Sequence, residues 1–401
     1  MLIYCSTKKS SLRCSYQTFN FNFLSLKMAG LYIHIPFCKQ ACHYCNFHFS
    51  TTTKNLQPMV DAMIGEMKYR KDYLQYEKVT SIYFGGGTPS LLSLQQLELL
   101  FNSIYQYFIV DEKAEITLEA NPDDLTKQKI FELKKTPVNR LSIGIQSFFE
   151  EDLKWMNRAH NSQQAKDSIL YAKESGFENL TIDLIYGMPE LTDEKWLKNI
   201  ETAMSFGINH ISSYALTVEP QTALGHFIKK KKLPPLNEEQ SARQFEILID
   251  TLEQNNFEQY EVSNFARNKK YAIHNSAYWK NEIYLGIGPS AHSFNKVSRC
   301  WNFAINTKYI EAIEANETAF ETEILSIENQ LNEYLMTGLR TIWGCDLQHI
   351  EKTFGKQLSE NILSEIKQKE IAGLIEISGT NFKLTRKGKL FADGIASDLF
   401  V

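Results

Sequence analysis

The stretch Leu31-Tyr-Ile-His-Ile-Pro-Phe-Cys38-Lys-Gln-Ala-Cys42-His-Tyr-Cys45 is a strand-like apolar and aromatic run that ends directly in three cysteines spaced C-x3-C-x2-C. Thiolates are soft ligands suited to zinc or iron–sulfur clusters, and a loop leaving a strand end can aim all three at one ion or cluster. A structural zinc site would add His34, His43 or His48 as fourth ligand, but such sites close with paired ligand spacings and no second pair lies nearby. Three thiolates instead leave one iron of a four-iron cluster uncapped. An uncapped iron can chelate a substrate or cofactor.

Outward from this motif the pattern is regular. Strand-like runs at Leu31–Phe37, Ser81–Gly85, Glu115–Ala120, Arg140–Gln146, Asn179–Tyr186 and His210–Thr217 alternate with helix-like segments. The segments of helical period are Leu56–Tyr73, Leu94–Tyr107, Leu125–Lys134, Ser162–Ser175 and Asp193–Phe206, with Glu238–Asn255 after the last strand. Six successive β/α units require a parallel sheet covered by crossover helices. Periodicity leaves open whether that sheet is doubly wound or curls into a full or partial barrel.

After Thr217 the character changes. The run Lys229–Lys232 with Pro234-Pro235 reads as a solvated loop, and residues 257–302 are dense in aromatics, Gly and His. From about Ile324 the chain reads as helices, a strand pair at Gly373–Ser378 and Asn381–Leu384, and a final helix over Arg386–Leu399. The resulting division is a β/α core over 28–220, a connecting region over 221–323 and a helical domain with a hairpin wing over 324–401. Residues 1–27 contain four basic and no acidic residues and are rich in Ser and Thr. They are expected to be an unstructured leader, or a start assigned too early with Met28 as the true beginning.

Composition narrows the function classes. Among 401 residues, 43 Lys and Arg balance 47 Asp and Glu, for a net charge of −4, without the one-sided charge of a nucleic-acid or polybasic membrane binder. No apolar run approaches the ~20 residues of a membrane span. Three of the seven cysteines fall within eight residues, unlike a secreted disulfide framework, so a reducing, cytoplasmic compartment is expected.

The cysteine motif after a first strand resembles the radical S-adenosylmethionine superfamily, whose fold is a partial (β/α)6 barrel. Tyr83-Phe-Gly85-Gly86-Gly87-Thr88-Pro89-Ser90, one β/α unit later, strengthens the resemblance. Glycines there are expected to let backbone approach a ligand and to offer free N–H donors. In this superfamily the open iron holds S-adenosylmethionine, and an electron from the cluster cleaves its C–S bond to a 5′-deoxyadenosyl radical. Such chemistry requires a low cluster potential and a shielded site.

Further strings are similar to coproporphyrinogen-III-oxidase-like proteins: Leu118-Glu119-Ala-Asn121-Pro122, Arg140-Leu-Ser-Ile-Gly-Ile-Gln146-Ser147-Phe148, Arg158-Ala-His160, Ile182-Asp183-Leu-Ile-Tyr-Gly187-Met-Pro189 and Ser213-Tyr214-Ala-Leu-Thr-Val-Glu219-Pro220. The resemblance implies cluster ligation by Cys38, Cys42 and Cys45, and S-adenosylmethionine contacts at Tyr32, Tyr44, Gly86, Gly87 and Glu119. Thr88, Gln146, Arg158 and Asp183 match positions that in the oxidase hold a second S-adenosylmethionine or line the porphyrin cavity. Read from the residues alone, Arg158 and Asp183 could equally form a structural ion pair at the barrel rim.

Two features separate the branches of this family. The oxidase motif continues to a further cysteine where this chain has Phe47, and the haem-chaperone branch carries H-N-x-x-Y-W, here His274-Asn275-Ser-Ala-Tyr278-Trp279. Leu285-Gly286-Ile-Gly288-Pro289-Ser-Ala-His292 follows. The resemblance therefore implies haem contacts at His274, Asn275, Tyr278, Trp279 and His292, with Cys300 a thiol outside any motif. Taken alone, His-Asn-x-x-Tyr-Trp would also suit a hydrogen-bonded core or cap. The expected activity is a haem chaperone delivering haem to respiratory apoproteins, with an electron donor and a homodimeric state. The alternative is oxygen-independent coproporphyrinogen III decarboxylation.

Overall fold

The computed structural model describes residues 28–401, so the expectation for residues 1–27 falls outside the described residues. Six strands, β1 (Met28–Ile35), β2 (Lys78–Gly86), β3 (Val110–Ala120), β4 (Arg140–Gln146), β5 (Asn179–Tyr186) and β6 (His210–Ala215), lie side by side in chain order, all parallel. A doubly wound sheet would reverse its strand order partway. Winding in one direction makes this a partial (β/α)6 barrel, which settles the choice that periodicity left open.

Crossover helices cover the outer face. The second, Leu94–Tyr107, begins with a capping box in which Ser93 and Gln96 satisfy each other's backbone, and Asn161 with Gln164 does the same for Ser162–Glu174. Along β1, Leu31, Ile33 and Ile35 are fully buried in the core. Period-two alternation turns Tyr32 and His34 to the barrel interior, where both line a cavity.

Region 257–302, which showed no periodicity, contributes most of six more strands. They are β7 (Glu258–Gln259), β8 (Asn264–Ala266), β9 (Ile283–Ile287), β10 (His292–Phe294), β11 (Ser298–Asn302) and β12 (Phe320–Ile324). β9 pairs parallel with the free edge of β1, β10 to β12 extend that edge antiparallel, and β8 and β7 cover β6. A buried network pins the β9–β10 turn: Glu66 accepts from Tyr309 (2.6 Å), Asn302 (2.8 Å) and the Gly288 N–H (2.9 Å), while Arg70 donates to Ser293 (3.0 Å).

The C-terminal part has its own core, built around Leu331, Leu335, Ile366 and Phe382. The expected hairpin is present as β14 (Ile375–Ser378) and β15 (Asn381–Leu384), joined by a third strand, β13 (Cys345–Asp346). The single final helix is a correction, because the chain forms two short helices, Arg386–Lys389 and Ala392–Asp398. Phe391 leaves helical geometry between them (φ −121°, ψ 23°), and Gly388 in the first piece packs its backbone on the Leu374 carbonyl, where no side chain would fit.

Candidate functional site

The cysteine loop leaves the C-terminal end of β1 and is anchored on both sides. Gly87 N–H donates to Ile35 O (2.8 Å), Thr88 N–H donates to Phe37 O (2.7 Å), and the Gly86 N–H is used by Glu119. These backbone donors are therefore taken by protein groups, the Gly87 and Thr88 N–H by the segment leading into the loop and the Gly86 N–H by Glu119, which corrects the expectation of free N–H groups. Glycine is required because the loop crosses so closely. A Cβ on Gly87 would lie 2.6 Å from Phe37 O, and one on Gly86 (φ +102°) would lie 2.5 Å from the His34 ring. From the other side, His43 N–H bonds Met156 O, and Asn157 donates to Ala41 O.

Cys38, Cys42 and Cys45 line one cavity of about 550 Å³ and none is in a disulfide. Among the described residues no group of three His, Cys, Asp or Glu side chains is arranged to hold a single metal ion. The three thiols share one wall of this cavity. Thr88 Oγ1 donates to Cys38 Sγ (3.3 Å), and burial pushes the Cys38 thiol up to about 11, so the metal-free loop holds a neutral thiol that a metal must deprotonate.

The same cavity gathers Tyr44, Gly86, Gly87, Thr88, Glu119, Gln146, Arg158 and Asp183. Arg158 donates to Cys42 Sγ (3.3 Å), Tyr44 Oη (3.4 Å), Asn121 Oδ1 (2.8 Å) and Gly144 O (2.9 Å), leaving its buried Nε without a partner. Arg158 and Asp183 do not pair, as Asp183 is held by the Ser142 hydroxyl at 3.3 Å, so the structural ion-pair alternative is not what the fold builds. Gln146 adopts a left-handed backbone (φ 65°) where β4 breaks register with β5, a strained conformation for a non-glycine residue.

Two buried acids face this cavity with no salt bridge to either. Burial is the main cause that raises Glu119 to about 7, with Tyr83 donating to it at 2.7 Å, and burial likewise raises Asp183 to about 6. The folded chain thus keeps a proton that the unfolded chain loses near pH 4.5, and stability falls as pH rises from there through 7. The displacement of Glu119 alone corresponds to about 3 kcal/mol. A Glu119→Gln variant of the cluster-free protein is expected to flatten this decline and to unfold at higher temperature than wild type at pH 8. Equal melting temperatures at pH 8 would show that Glu119 is not a buried ionised group.

A second, larger cavity of about 1230 Å³ opens beside the first and shares Cys42, Cys45, Phe47, Glu119 and Tyr214 with it. Its wall includes Tyr32, His274, Asn275, Tyr278, Trp279 and His292. Helix Ile273–Trp279 lies on the interior face of β1 and β2, its first N–H groups accepted by buried Glu115 at 2.8 and 3.2 Å. His274 Nδ1 meets Ser81 Oγ at 2.9 Å, and its ring stacks with Tyr83 (centroids 5.1 Å apart) over Gly30. Burial lowers His274 to about 4 and lowers His292. Both imidazoles are neutral at pH 7, the form that binds metal.

The structure therefore distributes the residues singled out in the sequence between two adjoining chambers, with Tyr32 in the larger one rather than with the other residues expected to contact S-adenosylmethionine. Cys300 is buried in β11 against Thr322 (3.3 Å), outside both chambers. Sequence reasoning missed Tyr83, Tyr214 and Arg299 on these walls. Tyr83 and Tyr214 stood inside quoted strings, and alternation along β2 would have placed Tyr83. Arg299 carried no signal.

The residue pattern of the Radical SAM superfamily matches residues 32–203, and that of the HemN C-terminal domain matches residues 325–391. The chain is 34% identical over 371 residues to the heme chaperone HemW of Bacillus subtilis (strain 168), covering 92% of this chain and 98% of the relative. It is 36% identical over 344 residues to the heme chaperone HemW of Lactococcus lactis, covering 84% and 90%. Coproporphyrinogen III oxidase (HemN) from Escherichia coli superposes with a TM-score of 0.82 at 23% identity, covering 94% of this chain and 90% of that one, a likeness of fold.

Proposed function

The chain belongs to the HemW family of radical SAM proteins, and from that premise we propose that it is a haem chaperone. In this reading it holds a [4Fe-4S] cluster on Cys38, Cys42 and Cys45, S-adenosylmethionine in the smaller chamber and haem in the larger. The fit rests on this chain's own donors: three unpaired thiols on one wall, a buried Arg158 Nε without a partner, and two buried acids suited to a ligand's amine or hydroxyls. When bound, the reduced cluster supplies an electron to S-adenosylmethionine.

The observation that carries the haem assignment is the larger chamber itself. At about 1230 Å³ it exceeds the ~300–1,000 Å³ of ordinary small-molecule pockets, and it is lined by aromatic rings and neutral imidazoles. The Ser81 contact at Nδ1 leaves His274 Nε2 as the ring atom for iron, oriented from behind as metal-binding histidines are. Tyr278 and Trp279 add two aromatic rings to the wall, set edge to face at 80°, so that one of them can stack on a macrocycle and the other meet its edge. No helix among the described residues is long and apolar enough to cross a membrane. Transfer to respiratory apoproteins, an electron donor, a homodimer and a cytoplasmic setting complete the reading.

Adding haem to the reconstituted protein should give a stoichiometric Soret band, and His274→Ala should weaken haem affinity about tenfold or more, the scale of losing one iron ligand or its support. Unaltered affinity would remove His274 from the site. Incubating the reduced protein with S-adenosylmethionine and coproporphyrinogen III should return the substrate intact. Release of decarboxylated product would replace the chaperone reading by the oxidase one.

A further inference from the structure

We propose that Arg299 receives a propionate carboxylate of the bound tetrapyrrole, so that the larger chamber selects the free diacid over its neutral ester. The proposal rests on the haem reading above and adds to it the group that orients the ring and reads its edge.

The sheet register supplies the geometry. Burial alternates along β11: Ser298, Cys300 and Asn302 are buried on one face, and Arg299 and Trp301 are less buried on the other. Arg299 lies opposite Phe294, Phe294 opposite Tyr284, and Tyr284 opposite Gly30, while His292 lies opposite Trp301. Directly paired residues share a face. Arg299 therefore stands in a row that runs from Gly30 through Tyr284 and Phe294 to Glu323 of β12, and of that row Gly30, Tyr284 and Arg299 line the chamber, with the His274 ring over the glycine.

Charge points to the same place. Arg299 is the sole Lys or Arg on the described wall of this chamber, and the carboxyl groups on it, Glu119, Glu261 and Glu282, stand elsewhere, with burial favouring the protonated form of the first two. A planar apolar ligand with carboxylates along one edge has a single attractive orientation there. Arg299 pairs through Nη2 with Glu333 of helix Ile327–Leu339, and its side chain remains 35% exposed. A guanidinium has five N–H donors in a planar fork, so one carboxylate does not exhaust it.

The test compares haem with haem dimethyl ester, each titrated from the same detergent into the cluster-loaded full-length protein. Wild type should bind haem about tenfold or more tighter than the diester, the worth of a charged hydrogen bond. Arg299→Gln should bring the two within about twofold while leaving diester affinity unchanged, and Arg299→Lys should restore part of the preference. The proposal falls if wild type takes both ligands equally, if Arg299→Gln keeps the preference, or if that variant weakens both ligands by the same factor, which would make Arg299 a strut for the edge strand. If wild type binds neither ligand, the haem reading itself falls.

Discussion

A Gly87→Ala variant retains all three cysteines and is expected to lose the cluster. The added Cβ would lie 2.6 Å from Phe37 O and 2.8 Å from both Ile35 O and Phe37 N, all backbone atoms of the segment leading into Cys38. No side chain can swing aside, so the loop itself must lift and break the Gly87 and Thr88 hydrogen bonds that hold it. Overpacking of this kind costs about 1–3 kcal/mol, and two displaced backbone bonds add to it. Iron and sulfide content after anaerobic reconstitution should fall at least about tenfold, in step with a penalty above 1.4 kcal/mol. Gly394→Ala is the control, since a Cβ there meets nothing within 4 Å. Wild-type iron content in Gly87→Ala would show that loop position does not govern ligation.

Cys42→Ser is expected to reduce reconstituted iron from about four per chain to nearly none, because a cluster held at three corners does not survive loss of one. Cys38→Ser and Cys45→Ser should behave alike. Cys300→Ser and Cys345→Ser should not, for both thiols are buried in packing away from the loop. Cys42 adds a second signature. Its sulfur accepts from Arg158 and it lines both chambers, so its replacement should also weaken haem uptake. A complete cluster in Cys42→Ser would refute ligation by these three thiolates.

What could be read from the chain alone follows from how local each signal is. The strand-like runs of β1 to β6, the cysteine spacing and the glycine run are encoded within windows of ten residues, and they located the six β/α units and part of the smaller chamber, while the barrel came only with the family resemblance. β9 is five residues long, Ile283 to Ile287, and no local period distinguishes it from a loop. Its partner is β1, at the other end of the barrel sequence. Arg299 is one charged residue on a short strand, and only the register past Phe294 and Tyr284 to Gly30 shows what it faces. The glycine N–H groups were misjudged for a related reason. Sequence shows that backbone is accessible there, but the fold decides whether ligand or protein uses it.

The pairing of β1 with β9 also bears on how the protein is made. Ala29 to Ile33 cannot find Ile283 to Ile287 until roughly 250 residues later in synthesis, about 13–50 s at 5–20 residues per second. Throughout that interval β1 has one bare edge, with Cys38, Cys42 and Cys45 in the loop that follows it. Unpaired apolar edges recruit other chains. The nascent protein therefore passes through a window on the ribosome in which the edge of β1 and the three thiols beside it lack their native cover.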